Sequence, residues 1–239
     1  AMAVDQGKWS MAESLLSDAD KQAVKVGARN QERFAGIALG LRSVVGKAGI
    51  SALTTYARSE VAAIIAQDNG IDRDAAAFHA LFAAYLAARS GDKKLPAEIL
   101  ARVSADADDF PLANLRAIVS AEMKLTGGSA DSAISTLMPF VNGDELYITH
   151  LVLLDGYSKN HDEVHALHEA QWLAEHRGRA YCEFGAHQFL TAYSVAQSDL
   201  ALLRAAELSQ RVAPVVAQEW LAKFKATWPA DVQMPGIAA

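Results

Sequence analysis

Residues Leu154 to Gly178 reappear, shifted by 36 positions, as Leu190 to Pro214. In register, Leu154 falls on Leu190, Gly156 on Ala192, Tyr157 on Tyr193, Ser158 on Ser194, Leu167 on Leu203 and Ala170 on Ala206. A self-similar interval of this length marks stacked helical hairpins, because one hairpin cannot bury its apolar face without a neighbour. Composition agrees with helix. Alanine has the highest helix propensity and loses no side-chain entropy, and this chain is alanine-rich, with few β-branched runs and six prolines in 239 residues. At 51% hydrophobic residues the chain can bury a substantial core.

The punctuation predicts where helices start and stop. Trp9, Ala12, Leu15, Leu16, Ala19 and Ala23 form one apolar stripe of a helix ending near Gly27. A second helix is expected over 31–45, and a third over 50–67, stopped by Asp68, Asn69 and Gly70. A fourth begins at Asp72 or Asp74, carries Phe78, Leu81, Phe82, Tyr85 and Leu86, and ends at Ser90, Gly91 and Asp92. Pro96, Pro111 and Pro214 fit first turns, where a missing amide hydrogen is tolerated. Asn142 with Glu145, Asn160 with Glu163, and Ser198 with Asp199 read as helix starts. These starts predict helices over 143–159, 161–176, 179–196 and 198–211, and so two antiparallel hairpins.

Leu153, Leu154, Tyr157, Ala166 and Ala170 in one copy, with Tyr193, Ala206 and Pro214 in the next, resemble the tetratricopeptide repeat. Ala121, Gly128, Ala133 and Leu137 offer a weaker third copy. The resemblance covers roughly residues 114–214. The first-helix tryptophan of the family is absent, the spacing drifts between about 33 and 36 residues, and Leu202 stands where alanine is expected. The expected fold is all-α, with antiparallel helical hairpins stacked as a tetratricopeptide-like α-solenoid; a compact helical bundle is the alternative. One domain is expected over 1–239, with divergent helices over 1–113, repeats over 114–214, and a capping helix and tail over 215–239.

In such a stack the first helix of each hairpin lines a concave face that holds extended peptides or partner helices. The resemblance places Glu122, Asp155, Lys159, His187 and Thr191 there, with Trp172 on a second patch. Family members that clamp a partner's C-terminal carboxylate use several convergent donors, and Lys159 alone does not supply them.

Six of the seven histidines lie between His150 and His187. At about 100° per residue, His161, His165 and His168 span an arc of about 60°, continued by Trp172 and His176. Opposite lie Ala166, Ala170 and Leu173, the expected core side. Imidazoles spaced by four on a helix can share zinc, copper or iron, with Asp162, Glu169 or Cys182 as a further ligand. That makes a metal-binding or metal-dependent helical enzyme centred on His161, His165 and His168 the alternative to a scaffold without cofactor. The segment His161, Asp162, Glu163, Val164, His165 departs from the zinc-protease pattern, which needs glutamate directly after the first histidine. The adjacent His161 and Asp162 resemble the metal-binding pair of HD-type phosphohydrolases without the rest of that pattern. Asp162 with His165 approaches, without matching, the Glu-x-x-His motif of di-iron bundles.

Other chemistry is sparse. Gly127 and Gly128 are a turn rather than a phosphate cradle. The single Cys182 reads as a small apolar residue and allows no internal disulfide. The string from His176 to Tyr181 reads as a helix link whose two arginines cap a helix end. A net charge of −6 gives no basic footprint for nucleic acid, and no window approaches the length of a membrane span. The expectation is therefore an acidic bacterial interaction or scaffold module with a protein or peptide partner. A cytoplasmic location is expected, or a periplasmic one after removal of a leader ahead of Ala1, Met2 and Ala3.

Overall fold

The structure, a computed structural model, describes residues 5–6, 8–27, 50–66, 72–104, 109–183 and 191–228. Among these the chain is all-helical, without strands. The helices are α1 (Trp9–Val26), α2 (Ile50–Ile65), α3 (Arg73–Arg89), α4 (Lys94–Arg102), α5 (Phe110–Thr126) and α6 (Ala130–Leu137). There follow α7 (Tyr147–Lys159), α8 (Glu163–Glu175), α9 (Arg177–Cys182), α10 (Thr191–Val212) and α11 (Pro214–Thr227). The expected helix over 31–45 and His187 lie outside the described residues. No helix among the described residues is long and apolar enough to cross a membrane.

Local chemistry sets most starts. The Asp72 carboxylate accepts from the amides of Asp74 and Ala75 at the head of α3, and Asp109 accepts from Leu112 at the head of α5. Pro111 and Pro214 occupy first turns, as their sequence context predicts. The start of α8 is displaced from Asn160. Asp162 caps it, accepting from the His165 amide, while Asn160 closes α7.

Consecutive helices pair: α2 with α3, α3 with α4, α5 with α6, α7 with α8, and α10 with α11. The α7–α8 register is antiparallel. Tyr147 at the start of α7 donates its hydroxyl to Leu173 O late in α8, whereas Tyr157 near the end of α7 stacks on His165 near the start of α8. Helices α3, α5 and α7 also pack side by side, and the second helix of each pair touches the next first helix, α4 on α5, α6 on α7 and α8 on α10. The first helices begin at residues 73, 110 and 147, an interval of 37. Regular spacing thus reaches back to Arg73, further than the sequence echo shows.

The echo itself has a different structural meaning. Its first copy runs from α7 through a turn into α8 and α9, and most of its second copy lies on the uninterrupted α10. The difference sits in three residues. His161, between Asn160 and Asp162, takes φ of 57°, a left-handed conformation that ends the helix. The equivalent Ala196, Gln197 and Ser198 stay helical, and Ser198 Oγ bonds back to Val195 O instead of capping. Asp199 is likewise committed to a tertiary contact, an ion pair with Arg177 at 2.8 Å. The expected helices over 179–196 and 198–211 are therefore replaced by the short α9 and the long α10.

The first helices are unusually enclosed. Nearly all of α3 from Ala76 to Ala88 is buried, and the core runs continuously from Phe78 through Leu115, Ile118, Leu151 and Leu173 to Ala205. Asn114 of α5, fully buried, pins the next first helix through its Oδ1, which accepts from Leu146 N at 2.7 Å and Thr149 Oγ1 at 3.1 Å. At Gly156 a side chain would collide with α6, since an added Cβ would lie 2.9 Å from Ile134 Cγ1. We expect Gly156→Leu to lower stability by about 1–3 kcal/mol through overpacking, and Ile134→Ala in the same chain to restore part of it. Thermal unfolding of the single and double variants checks this, and additive losses would exclude the contact.

Candidate functional site

Where α3, α5, α7 and α10 come together, their inward residues form one polar cluster. Arg89 closes α3 and directs Nη1 to Asp155 Oδ2 of α7 at 2.7 Å and to Glu122 Oε2 of α5 at 3.3 Å. The same nitrogen lies 3.5 Å from the Tyr85 hydroxyl, which shares a 2.9 Å hydrogen bond with the Tyr193 hydroxyl of α10. The two tyrosine rings meet edge to face, and Phe82 packs on Tyr193 in the same manner. Lys159 donates from Nζ to Leu125 O at 3.0 Å, tying the last turn of α7 to α5.

The cluster is graded from buried to open. Glu122 is 4% exposed, and burial raises its pKa against the opposing pull of Arg89. Burial likewise raises both tyrosine hydroxyls, so Tyr85 and Tyr193 stay protonated as a neutral pair. Toward the ends of α3 and α7 the side chains of Arg89 and Asp155 are 29% and 22% exposed, and Lys159 is exposed. Nη1 is the Arg89 atom that makes its contacts with Tyr85, Glu122 and Asp155, and the side chain stays partly exposed.

The structure brings Glu122, Asp155 and Lys159 near one another. It assigns them unequal roles, with Glu122 an enclosed counter-ion and Asp155 and Lys159 at the rim. Thr191 is half-buried in the first turn of α10, two residues before Tyr193. Arg89, Tyr85 and Tyr193 complete the cluster; the sequence pattern marks the two tyrosines only as helix positions and Arg89 not at all. The available signal is a lone arginine closing an alanine-rich helix.

Trp172 is not an open patch. Its ring is stacked by His150, with centroids 3.4 Å apart, and by His176 at 4.2 Å, and the Arg179 guanidinium lies 5.5 Å from its centroid. Behind it lies a second polar nest. Buried His150 points Nδ1 at Glu169 Oε2 at 2.6 Å and Nε2 at Glu145 Oε1 at 3.1 Å. The other Glu145 oxygen accepts from the amides of Asn142 and Gly143, in a turn whose Gly143 sits at φ of 104°. Burial opposes ionisation of Glu145, but the hydrogen bonds from His150 and from these amides outweigh it and hold the carboxyl at about 2. Glu183, just past α9, accepts from the Tyr147 amide at the head of α7 and is pushed up to about 7 by burial, with the Glu145 charge adding to the effect. A histidine inside the apolar run Leu146 to Leu154 is the trace of this nest in the sequence.

The expected metal constellation is not assembled. His161 occupies the left-handed turn before α8, not its first turn. His165 Nδ1 is bound to the Asp162 cap at 2.6 Å and its ring rests on Tyr157, while exposed His168 lies 3.6 Å from Glu169. Trp172 and His176 turn away from this exposed stripe into the nest. Among the described residues no three His, Cys, Asp or Glu side chains converge on a metal-sized site.

Comparison with known proteins returns no match from a family model, a curated protein or a solved structure. Function is therefore read from the geometry of this chain.

Removing the Arg89 charge leaves Glu122 enclosed without its counter-ion. We expect Arg89→Met to lower stability by about 2–4 kcal/mol, near the lower end for a broken buried pair because Arg89 keeps some contact with water. Adding Glu122→Gln should recover much of the loss in denaturant titrations. The folded-state pKa of Glu145 is depressed, so its contribution is present above its ordinary value near 4.5 and is lost as pH falls toward 2. The stability difference between wild type and Glu145→Gln should shrink across that window, and a difference independent of pH would contradict the assignment.

Proposed function

We propose that this chain is a non-enzymatic binding module, a tetratricopeptide-like stack of helical hairpins that holds a peptide or partner helix at the open end of the inner polar cluster. The observation that carries this reading is the rim of Arg89, Asp155 and Lys159. Cations and a carboxylate from two first helices alternate there, half-exposed on a rigid base. A peptide main chain offers carbonyl acceptors and amide donors in turn, and such a mixed rim matches both. Donors come from the partly exposed Arg89 and from the remaining protons of Lys159, and acceptors from Asp155. The buried Tyr85–Tyr193 pair closes the deep end, which directs a ligand to the rim rather than along the full inner face. The interval of 37 residues between first helices and the contacts between successive pairs support the repeat reading. The exposed and dispersed His161, His165 and His168 favour a scaffold over a metal enzyme.

Panning a random peptide library against the whole chain, followed by fluorescence polarisation, tests the reading. Peptides that bind should lose about tenfold in affinity or more on Asp155→Ala or Lys159→Ala, the effect expected of contact residues at a small interface. Lys159→Ala should keep the wild-type circular dichroism, and Asp155→Ala, which removes an Arg89 partner, is read at a temperature below its own unfolding transition. Peptides that bind these variants as well as wild type would place the site elsewhere.

A further inference from the structure

The nest at the head of α7 holds more acidic groups than permanent cations, and its geometry dictates where protons must be. An ionised carboxylate only accepts hydrogen bonds, and a neutral imidazole has one N–H. Both nitrogens of His150 nevertheless face carboxylate oxygens, at 2.6 Å and 3.1 Å. Each contact requires a proton. Glu145 does not supply one, since the two backbone amides on its Oε2 and the bond from His150 to its Oε1 hold this carboxyl ionised, at about 2. The second proton therefore bridges His150 Nδ1 and Glu169 Oε2.

Glu183 adds a further site. Its Oε1 accepts from Tyr147 N, while its Oε2 is buried with no hydrogen-bond partner among the described residues. Such an atom is tolerable on a neutral carboxyl and unfavourable on a charged one. The groups facing these protons are Glu145 and Tyr147 at the head of α7, His168, Glu169 and His176 at α8, and Arg179 at α9. Arg177 and Asp199 act on the nest through Tyr147. Arg179 also donates to Glu145 O and Gly143 O, which joins α9 to the same turn.

We propose that the head of α7 is held by a proton-loaded latch: a proton on the buried Glu183 carboxyl, beside the proton bridging His150 and Glu169, keeps the nest neutral, and the loss of the Glu183 proton to solvent frees the first turn of α7 from α8 and α9. When loaded, the charges of Glu145 and Glu169 balance those of His150 and Arg179. When emptied, Glu183 adds a carboxylate charge to the nest with no further cation to balance it, and its Oε2, without a partner among the described residues, is left buried and charged. The change weakens the closed arrangement. The raised Glu183 carboxyl, at about 7, agrees in sign. A group raised on folding stabilises below its unfolded value near 4.5, and that contribution is lost as pH rises through about 7.

Amide hydrogen exchange on the whole chain, corrected for intrinsic rates, tests the latch. Protection of Gly143 and Tyr147 should fall about tenfold between pH 6 and pH 9 while amides in α5 hold theirs. Glu183→Gln keeps a neutral acceptor for Tyr147 and should reduce that fall. Protection that stays constant in wild type, or that falls equally in the variant, would overturn the proposal. Should the variant not fold, labelled wild type decides: the latch requires a protonated Glu183 carboxyl by carbon-13 shift, and both His150 ring nitrogens protonated or sharing a proton by nitrogen-15 shift, at pH 6. An ionised Glu183, or an unprotonated His150 nitrogen free of any shared proton, would overturn it.

Discussion

The contact on which the inner architecture depends is the grip of one arginine nitrogen on two carboxylates. Arg89 ends α3, and its Nη1 reaches Glu122 on α5 and Asp155 on α7, so one guanidinium joins three first helices. Hydrophobic packing alone holds helices together without fixing how far each slides along its neighbour, because apolar contact is non-directional. Charge-assisted hydrogen bonds have narrow geometry. Enclosing Glu122 makes the arrangement demanding, since the carboxylate has no water to fall back on and the helices must keep the register that supplies its partner. Asn114 plays the same part at the other end of α5, fixing Leu146 and Thr149 at the head of α7.

These polar anchors explain why the first helices are so thoroughly enclosed without losing definition. Helix α3 is buried nearly all round, and its alanine-rich surface allows neighbours to approach closely from several sides. Smooth alanine faces specify position poorly. The tyrosine pair Tyr85 and Tyr193 adds one directional contact between α3 and α10, which are far apart in sequence, and Phe82 seals it from water. Around Trp172 the same principle recurs in a different chemistry. There His150, His176 and Arg179 surround an indole, with Glu145 and Glu169 on His150 and Glu145 beside Arg179.

Much of the fold was legible in the sequence because helix starts depend on local chemistry. Asp72, Pro111 and Pro214 act within a few residues of themselves, and each marks a real start. Ser198 and Asp199 carry the same local signal and mark none. Ser198 Oγ bonds back to Val195 O and Asp199 is drawn into an ion pair with Arg177, and only the three-dimensional arrangement shows it. The echo misleads for a related reason, since it preserves core positions on both copies while the turn depends on Asn160, His161 and Asp162 alone. At the candidate site, Glu122, Asp155 and Lys159 are acidic or basic residues on helices the sequence marks, and their grouping depends on how those helices pack. Arg89 could not be placed from sequence, because a charged residue at a helix end reads equally well as a solvated cap until its distant partners are known. The histidines show the converse: helical spacing groups His161, His165 and His168, whereas the chemically engaged imidazole is His150, hidden in an apolar run.

The unbroken α10 has a consequence for how this chain can be divided. At about 1.5 Å per residue its 22 residues form a rod of roughly 33 Å. Near its start Tyr193 meets α3, at its middle Asp199 receives Arg177, and at its end Arg211 pairs with Glu163 at the head of α8. An open array of hairpins can be shortened from either end, each loss removing one unit and one interface. Here the last hairpin also touches the first of the spaced series. Trimming α10 and α11 would unroof Tyr85 and remove the Glu163–Arg211 pair from α8 and the Arg177–Asp199 pair from α9 at the same time, so among the described residues the loss would reach beyond a single hairpin.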